Sequence, residues 1–153
     1  MTEDIHALTA ITEEKIQFLK QILTITENQE NIYQTLGANQ SAKAILQEMD
    51  GEKERLIQLA RQSDEGFQAI FERLGGAFYE NAPQHRGAVL QLQDKIAKAM
   101  ALDEEIRRQE NANLLAVSRA AHGEPEWQRA QPPQRASQKH VLARYRDNTK
   151  KGP

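Results

Sequence analysis

Histidine side chains are the first candidates in this chain for acid–base or metal chemistry. Two metal ligands on one helix need a spacing of three or four residues to share a face. No histidine lies three or four residues from another histidine. The sequence therefore predicts no metal site. The four histidines are His6, His85, His122 and His140.

Carboxylates at 103–105, together with Glu110, are a second candidate because paired carboxylates can act as general acid and base. They lack a neighbouring nucleophile or histidine and an apolar stretch that would shift their pKa values. Glu104 and Arg108 are instead spaced for an ion pair on one helical face. Gly75-Gly76 has no following Lys-Ser pair and indicates a helix end rather than a phosphate loop. We therefore predict neither catalysis nor a cofactor.

Composition narrows the possible classes of protein further. The 153 residues suffice for one domain, and they include no cysteine, which excludes disulfides and thiolate chemistry. Aromatic residues make up only 5%, too few to line a deep ligand pocket. The acidic N-terminus lacks the features of a signal peptide, and no apolar run approaches the length of a membrane span. We expect a cytoplasmic protein without a membrane span.

Apolar residues recur at alternating spacings of three and four, which predicts an all-α protein, an antiparallel bundle of three long coiled-coil-like helices. The predicted segments are 2–36, 41–79 and, from Pro83 or His85, a third that ends at His122. Thr2 and Ser41 are the predicted N-caps. We expect the second helix to continue through Gly51 and Gly66, because the repeat keeps its phase across both. The first two seams comprise Ile5, Leu8, Leu19, Ile22, Leu36, and Leu46, Met49, Lys53, Leu56, Ala60, Ser63, Phe67, Ile70, Leu74.

The third segment is less regular than the second. Its seam is held by Val89, Leu92, Ile96, Ala99, Ile106, Val117 and Ala120. Asp103, Glu110 and Asn113 also fall on this apolar stripe. Polar residues there either weaken packing within the bundle or mark a place where the bundle opens.

A separate tail follows the bundle, so the predicted domains are residues 1–122 and residues 123–153. The tail is rich in Pro, Gln and Arg and is expected to be largely disordered. Seven Lys or Arg residues against three acidic ones give it a net charge of +4, which leaves −6 for residues 1–122. So few charges, with no helix-turn-helix, do not favour nucleic-acid binding.

Protein binding is what remains, and the third helix and the tail are where we expect the partner. An elongated apolar surface on helices suits helix-in-groove recognition. The predicted partner-binding residues combine an apolar patch with amides on the third helix and a short apolar cluster in the tail. They are Asn111, Asn113, Leu114, Leu115 and Val117, with Val141, Leu142 and Tyr145.

Three stretches resemble the FlgN-like family of flagellar type III export chaperones, with the FliT-like chaperones as a close alternative. They read KIQFLKQILTITENQENIYQTL, ILQEMDGEKERLIQLARQ and LDEEIRRQENANLLAVSRA. The resemblance covers roughly residues 5–120 and implies a chaperone that keeps secreted hook–filament junction (hook-associated) proteins soluble. Such a chaperone would bind their helical terminal region and deliver them to the export apparatus.

A structural coiled-coil adaptor or self-associating scaffold is the alternative function. The same seams would then be buried between copies of the chain in a homo-oligomer. Neither the chaperone function nor the scaffold function assigns a catalytic, cofactor-binding or metal-binding residue.

Overall fold

Three long helices account for most of the computed structural model, which describes residues 1–37 and 39–123 and, over 120–123, the backbone only. They are α1 (Thr2–Leu36), α2 (Gln40–Leu74) and α4 (Arg86–Gly123); a short helix, α3 (Ala77–Asn81), and a 3₁₀ turn (Ala82–His85) connect the last two. No strand occurs among the described residues. The predicted all-α bundle is confirmed.

Ion pairs and hydrogen bonds between the helices give their directions. Lys15 meets Asp64 at 2.7 Å, and Gln29 meets Asp50 further along, so α1 and α2 run antiparallel. Contacts of α1 with α4 advance in the same direction along both helices, so these two are parallel. Helix α1 packs along both neighbours, whereas the backbones of α2 and α4 approach each other less closely.

The helix ends correct four details of the prediction. Thr2 is already helical and forms no cap, and Asn39 rather than Ser41 caps α2. Helix α2 stops at Leu74 rather than near Tyr79, because Gly75 adopts φ 54°. Helix α4 begins at Arg86, after a 3₁₀ turn that contains Pro83.

Continuity of α2 through Gly51 and Gly66 is confirmed. Both glycines lie inside the helix, and no atom lies within 4 Å of a Cβ built on Gly51. The heptad repeat therefore outweighs the cost of two helical glycines, about 1 kcal/mol each.

The core follows most of the predicted seams. Leu36, predicted as a seam residue, is 42% exposed beside the turn at Gly37. Ile16, Ala42 and Ile57, which were not predicted as seam residues, are buried. Ile16 belongs to the central apolar cluster. Its members are Ile16, Leu19, Ile22, Leu56, Ile57, Ala99 and Ile106.

Candidate functional site

The predicted partner-binding residues on α4 do not share one surface. Asn113 and Val117 are buried inside the bundle, and Leu114 is half-buried. Asn111 and Leu115 are exposed, Leu115 by 58%. A partner can therefore reach Asn111 and Leu115 directly, but it reaches Asn113 and Val117 only if α4 moves.

The predicted tail residues Val141, Leu142 and Tyr145 lie outside the described residues, as does the tail domain after Gly123. Their assignment to a partner stays a prediction.

A buried polar layer crosses the bundle where the third segment was predicted to turn polar. The Lys53 ammonium group donates to Glu110 Oε1 and, at 2.9 Å, to Gln29 Oε1. Both charged side chains are 1% exposed. Gln29 in turn donates to Asp50 Oδ1 at 2.7 Å. The charges of Lys53 and Glu110 thus neutralise each other where water is excluded.

Asn113 joins this layer from α4. Its Nδ2 donates to the backbone oxygen of Thr26 at 2.9 Å, and its Oδ1 accepts from Gln109 at 3.1 Å. Gln109 also donates to Glu30. The hydroxyl of Thr26 donates to the Ile22 carbonyl at 2.7 Å. The polar residues of α4 therefore bind α1 and α2 rather than mark an open place in the native bundle.

Tyr33 lies beside the polar layer, toward the turn between α1 and α2. Burial of its ring raises the pKa of its phenol well above the usual value, and the charges of Asp50 and Glu110 raise the pKa further. The phenol therefore stays protonated at neutral pH.

An apolar column runs along α1 outside the predicted seam. Ile11, Phe18, Ile25 and Ile32 succeed one another every seven residues, and all four are half-buried. Phe18 and Ile25 pack against the central cluster from one side. A column at this spacing follows the supercoil of a bundle and stays on one side of the helix.

Helix α2 extends this apolar column across the α1–α2 seam. The Ile11 side chain lies 3.7 Å from where a Cβ on Gly66 would be. This register places Leu59 level with Phe18 and Ile45 level with Ile32. Ile45 is 39% exposed. We call these residues the α1–α2 stripe: Ile11, Phe18, Ile25, Ile32, Ile45 and Leu59.

Charged residues border the stripe. Arg73 and Asp4 form an ion pair of 2.8 Å at one end of the α1–α2 seam. Glu14, on α1, and Glu48, on α2, are exposed beside the stripe. Glu52, seven residues from both Ile45 and Leu59, lies within the α2 part of the stripe; it is exposed and pairs with Arg55 at 2.6 Å. The border is therefore mainly acidic.

Polar pairs also bridge the seam between α1 and α4. Lys95 meets Glu13 at 2.7 Å, and its hydrogen bond, with one from Gln17, lowers the pKa of Glu13. Gln109 bridges to Glu30 further along. Of the two outer seams of α1, the one with α2 carries the apolar column of α1.

A third apolar surface is at the end of the bundle that holds α3. Phe78 lies 5.4 Å from both Phe71 and Tyr79, measured between ring centroids. Tyr79 is 71% exposed. This aromatic cluster joins α3 to the bundle and leaves one tyrosine ring largely in solvent.

The sequence contained the signal for the α1–α2 stripe, although the prediction missed it. A seam between helices needs two apolar positions in each heptad. Helix α1 carries a third apolar position, which also recurs every seven residues. Ile11, Phe18, Ile25 and Ile32 fill that position, and Asp4 occupies it only in the first turn.

No family model matches the chain, and no match was found among curated proteins or solved structures. No helix in the described part of the chain is long and apolar enough to span a membrane. Among the same residues, no group of three or more His, Cys, Asp or Glu side chains is arranged to hold a metal ion.

Proposed function

We propose that this protein is a cytoplasmic flagellar export chaperone that binds a helical terminal region of a hook–filament junction (hook-associated) protein. The α1–α2 stripe is the observation that carries the proposal. The resemblance of the sequence to FlgN-like chaperones supplies the class of partner. Delivery of the bound protein to the export apparatus is part of the same proposal.

The stripe suits an amphipathic helix in its dimensions. From Ile11 to Ile32 it extends for about 32 Å at 1.5 Å per residue, which corresponds to about six turns of a partner helix. Its side chains are half-buried, except that of Ile45, which is exposed, so a partner helix would remove their remaining apolar surface from water. Helix-in-groove recognition uses apolar anchors at this kind of spacing.

The charged border predicts which residues flank the apolar face of the partner helix. Glu14, Glu48 and Glu52 outnumber Arg55 along the stripe. Lysine or arginine beside the apolar face of the partner would complement this border and speed association. A second copy of the chain would bring acidic borders together, which opposes pairing through the same surface.

Substitution within the stripe tests the proposal. Phe18→Glu places a charge in its middle and is expected to weaken binding of a junction-protein terminal helix by at least about tenfold, since an unpaired charge is costly to bury. Met100→Glu, at a position 66% exposed on α4, is the matched control and is expected to bind normally. Affinities are measured by isothermal titration calorimetry, with circular dichroism to verify helical content.

Equal binding by the Phe18→Glu and wild-type proteins would exclude the stripe as the binding surface. Absence of binding by the wild-type protein to any junction-protein terminus would contradict the chaperone function itself.

A self-associating scaffold is the second candidate: it would bury the same apolar stripe between copies, at the cost of bringing their acidic borders together. Sedimentation equilibrium at micromolar concentration separates the two functions. A monomer is expected for the chaperone. A homo-oligomer that Phe18→Glu dissociates would instead establish the scaffold.

A further inference from the structure

We propose that the bundle opens locally at the end holding the α1–α2 turn, and that the buried polar layer is where this opening stops. The polar layer is defined as Thr26, Gln29, Lys53, Glu110 and Asn113. The opening unit comprises the end of α1, the start of α2 and the last turns of α4. The opening unit includes Ile32 and Ile45, at one end of the α1–α2 stripe.

The apolar core is divided at this layer. On one side lies the central cluster, with seven buried residues and further apolar side chains around it. On the other side lies a small end cluster of Tyr33, Leu46 and Val117, surrounded by Ile32, Met49 and Ala116. Between the two clusters, side chains from all three long helices meet through hydrogen bonds and one ion pair.

The end cluster is small, so opening it costs little free energy. Three buried residues form this cluster among those that the structure describes, and each keeps 5–7% of its surface exposed. Local stability rises with the number of buried apolar contacts, so a small terminal cluster opens before a large central one.

Hydration of the polar layer explains why opening would stop there. Burying Lys53 and Glu110 removes two full charges from water, and their attraction has to offset that cost. When the end cluster opens, water reaches these charges and restores part of their solvation. Opening beyond the layer would expose the central apolar cluster to water, and no comparable gain in solvation would offset that cost.

The opening would uncover residues that the native bundle hides. Val117 and Asn113 were predicted to bind a partner, yet both are buried. Both lie in the opening unit or at its boundary. Opening would expose them together with Tyr33 and Leu46.

Native-state hydrogen exchange of the full chain, followed by NMR at increasing denaturant, tests the proposal. Amides of Leu46 and Val117 are expected to exchange at least about tenfold faster than those of Leu19 and Leu56, with little dependence on denaturant. Exchange of all these amides at one rate, with one denaturant dependence, would overturn the proposal.

A double substitution tests the role of the polar layer. Lys53→Met with Glu110→Leu replaces the ion pair by apolar side chains and joins the two clusters, so the amides of Leu46 and Val117 are expected to slow toward the rate of the central amides. The matched control is Glu104→Leu with Arg108→Met, which removes an exposed pair of 3.9 Å on α4 and should leave the ratio unchanged.

An unchanged ratio in the Lys53→Met, Glu110→Leu protein would contradict the role of the layer. If that protein loses its helical content, the single substitution Lys53→Arg keeps the charge. It is expected to preserve faster exchange at the end than at the centre, and a uniform rate in it would also count against the proposal.

Discussion

At the scale of single residues, Lys53 is the least expected member of the core. A lysine on an apolar seam is normally a solvated side chain at the margin, yet this one is fully buried. Glu110, 57 positions later, makes that possible by accepting its hydrogen bond. Each charge alone would cost several kcal/mol to bury, so the two residues are tolerated only as a pair.

Ionisation of Tyr33 makes the unfolding free energy depend on pH in the alkaline range. The pKa of Tyr33 in the folded protein is raised above the usual value of 10.0. The contribution of Tyr33 to the unfolding free energy is therefore complete below pH 10.0 and is lost as pH rises toward the pKa of the folded state. At about pH 11, wild type is expected to lose about 1 kcal/mol more unfolding free energy than Tyr33→Phe, relative to about pH 8. Urea unfolding at the two pH values measures the difference.

Tyr79→Phe is the control for this prediction because Tyr79 is largely exposed. It should show the same alkaline loss as wild type, since lysine deprotonation affects all three proteins alike. An identical loss in Tyr33→Phe would show that the phenol of Tyr33 ionises equally in both states.

At the scale of elements, the start of α2 depends on one amide side chain. Asn39 has extended backbone geometry, and its Oδ1 accepts from the Ala42 amide at 2.7 Å. Asn39→Ala is therefore expected to lower the unfolding free energy by about 1 kcal/mol, whereas Ser41→Ala should change it little. Chemical denaturation of the two variants measures both effects. A larger loss from Ser41→Ala would mean that the serine caps the helix in solution.

Helix ends were the part of each element that the sequence predicted least well. Asn39 and Ser41 are both good caps, and only the observed backbone identifies which side chain reaches a free amide. Gly75 ended α2 earlier than predicted, because its φ of 54° lies in the left-handed region that favours glycine.

At the scale of the whole molecule, the Pro-, Gln- and Arg-rich composition of residues 123–153 predicts that they add little to the apolar core. A chain truncated after Gly123 is therefore expected to unfold cooperatively, with a thermal midpoint within about 3 °C of the full-length protein. Differential scanning calorimetry compares the two. A broad, non-cooperative transition in the truncated chain would show that residues 124–153 are needed for folding of the bundle.

The predicted binding site illustrates what a linear pattern leaves open. Leu114, Leu115 and Val117 look like one apolar patch in the sequence, but a helix turns about 100° per residue and separates them. Val117 packs with Tyr33 and Leu46, while Leu115 faces solvent. The α1–α2 stripe gains its continuity from the opposite effect, since residues seven apart return to the same side.

The sequence by itself determined that the chain folds into three long helices with a continuous second helix, because seam spacing is a local property of one helix. The tertiary structure alone decided what the polar residues of the third helix do. Asp103, Glu110 and Asn113 lie on the predicted apolar side of this helix. The sequence therefore predicted either weaker packing within the bundle or a place where the bundle opens. Glu110 and Asn113 instead find partners on α2 and α1, at Lys53 and Thr26. The sequence could not show this, because the energy of a buried charge depends on which side chain faces it across the core.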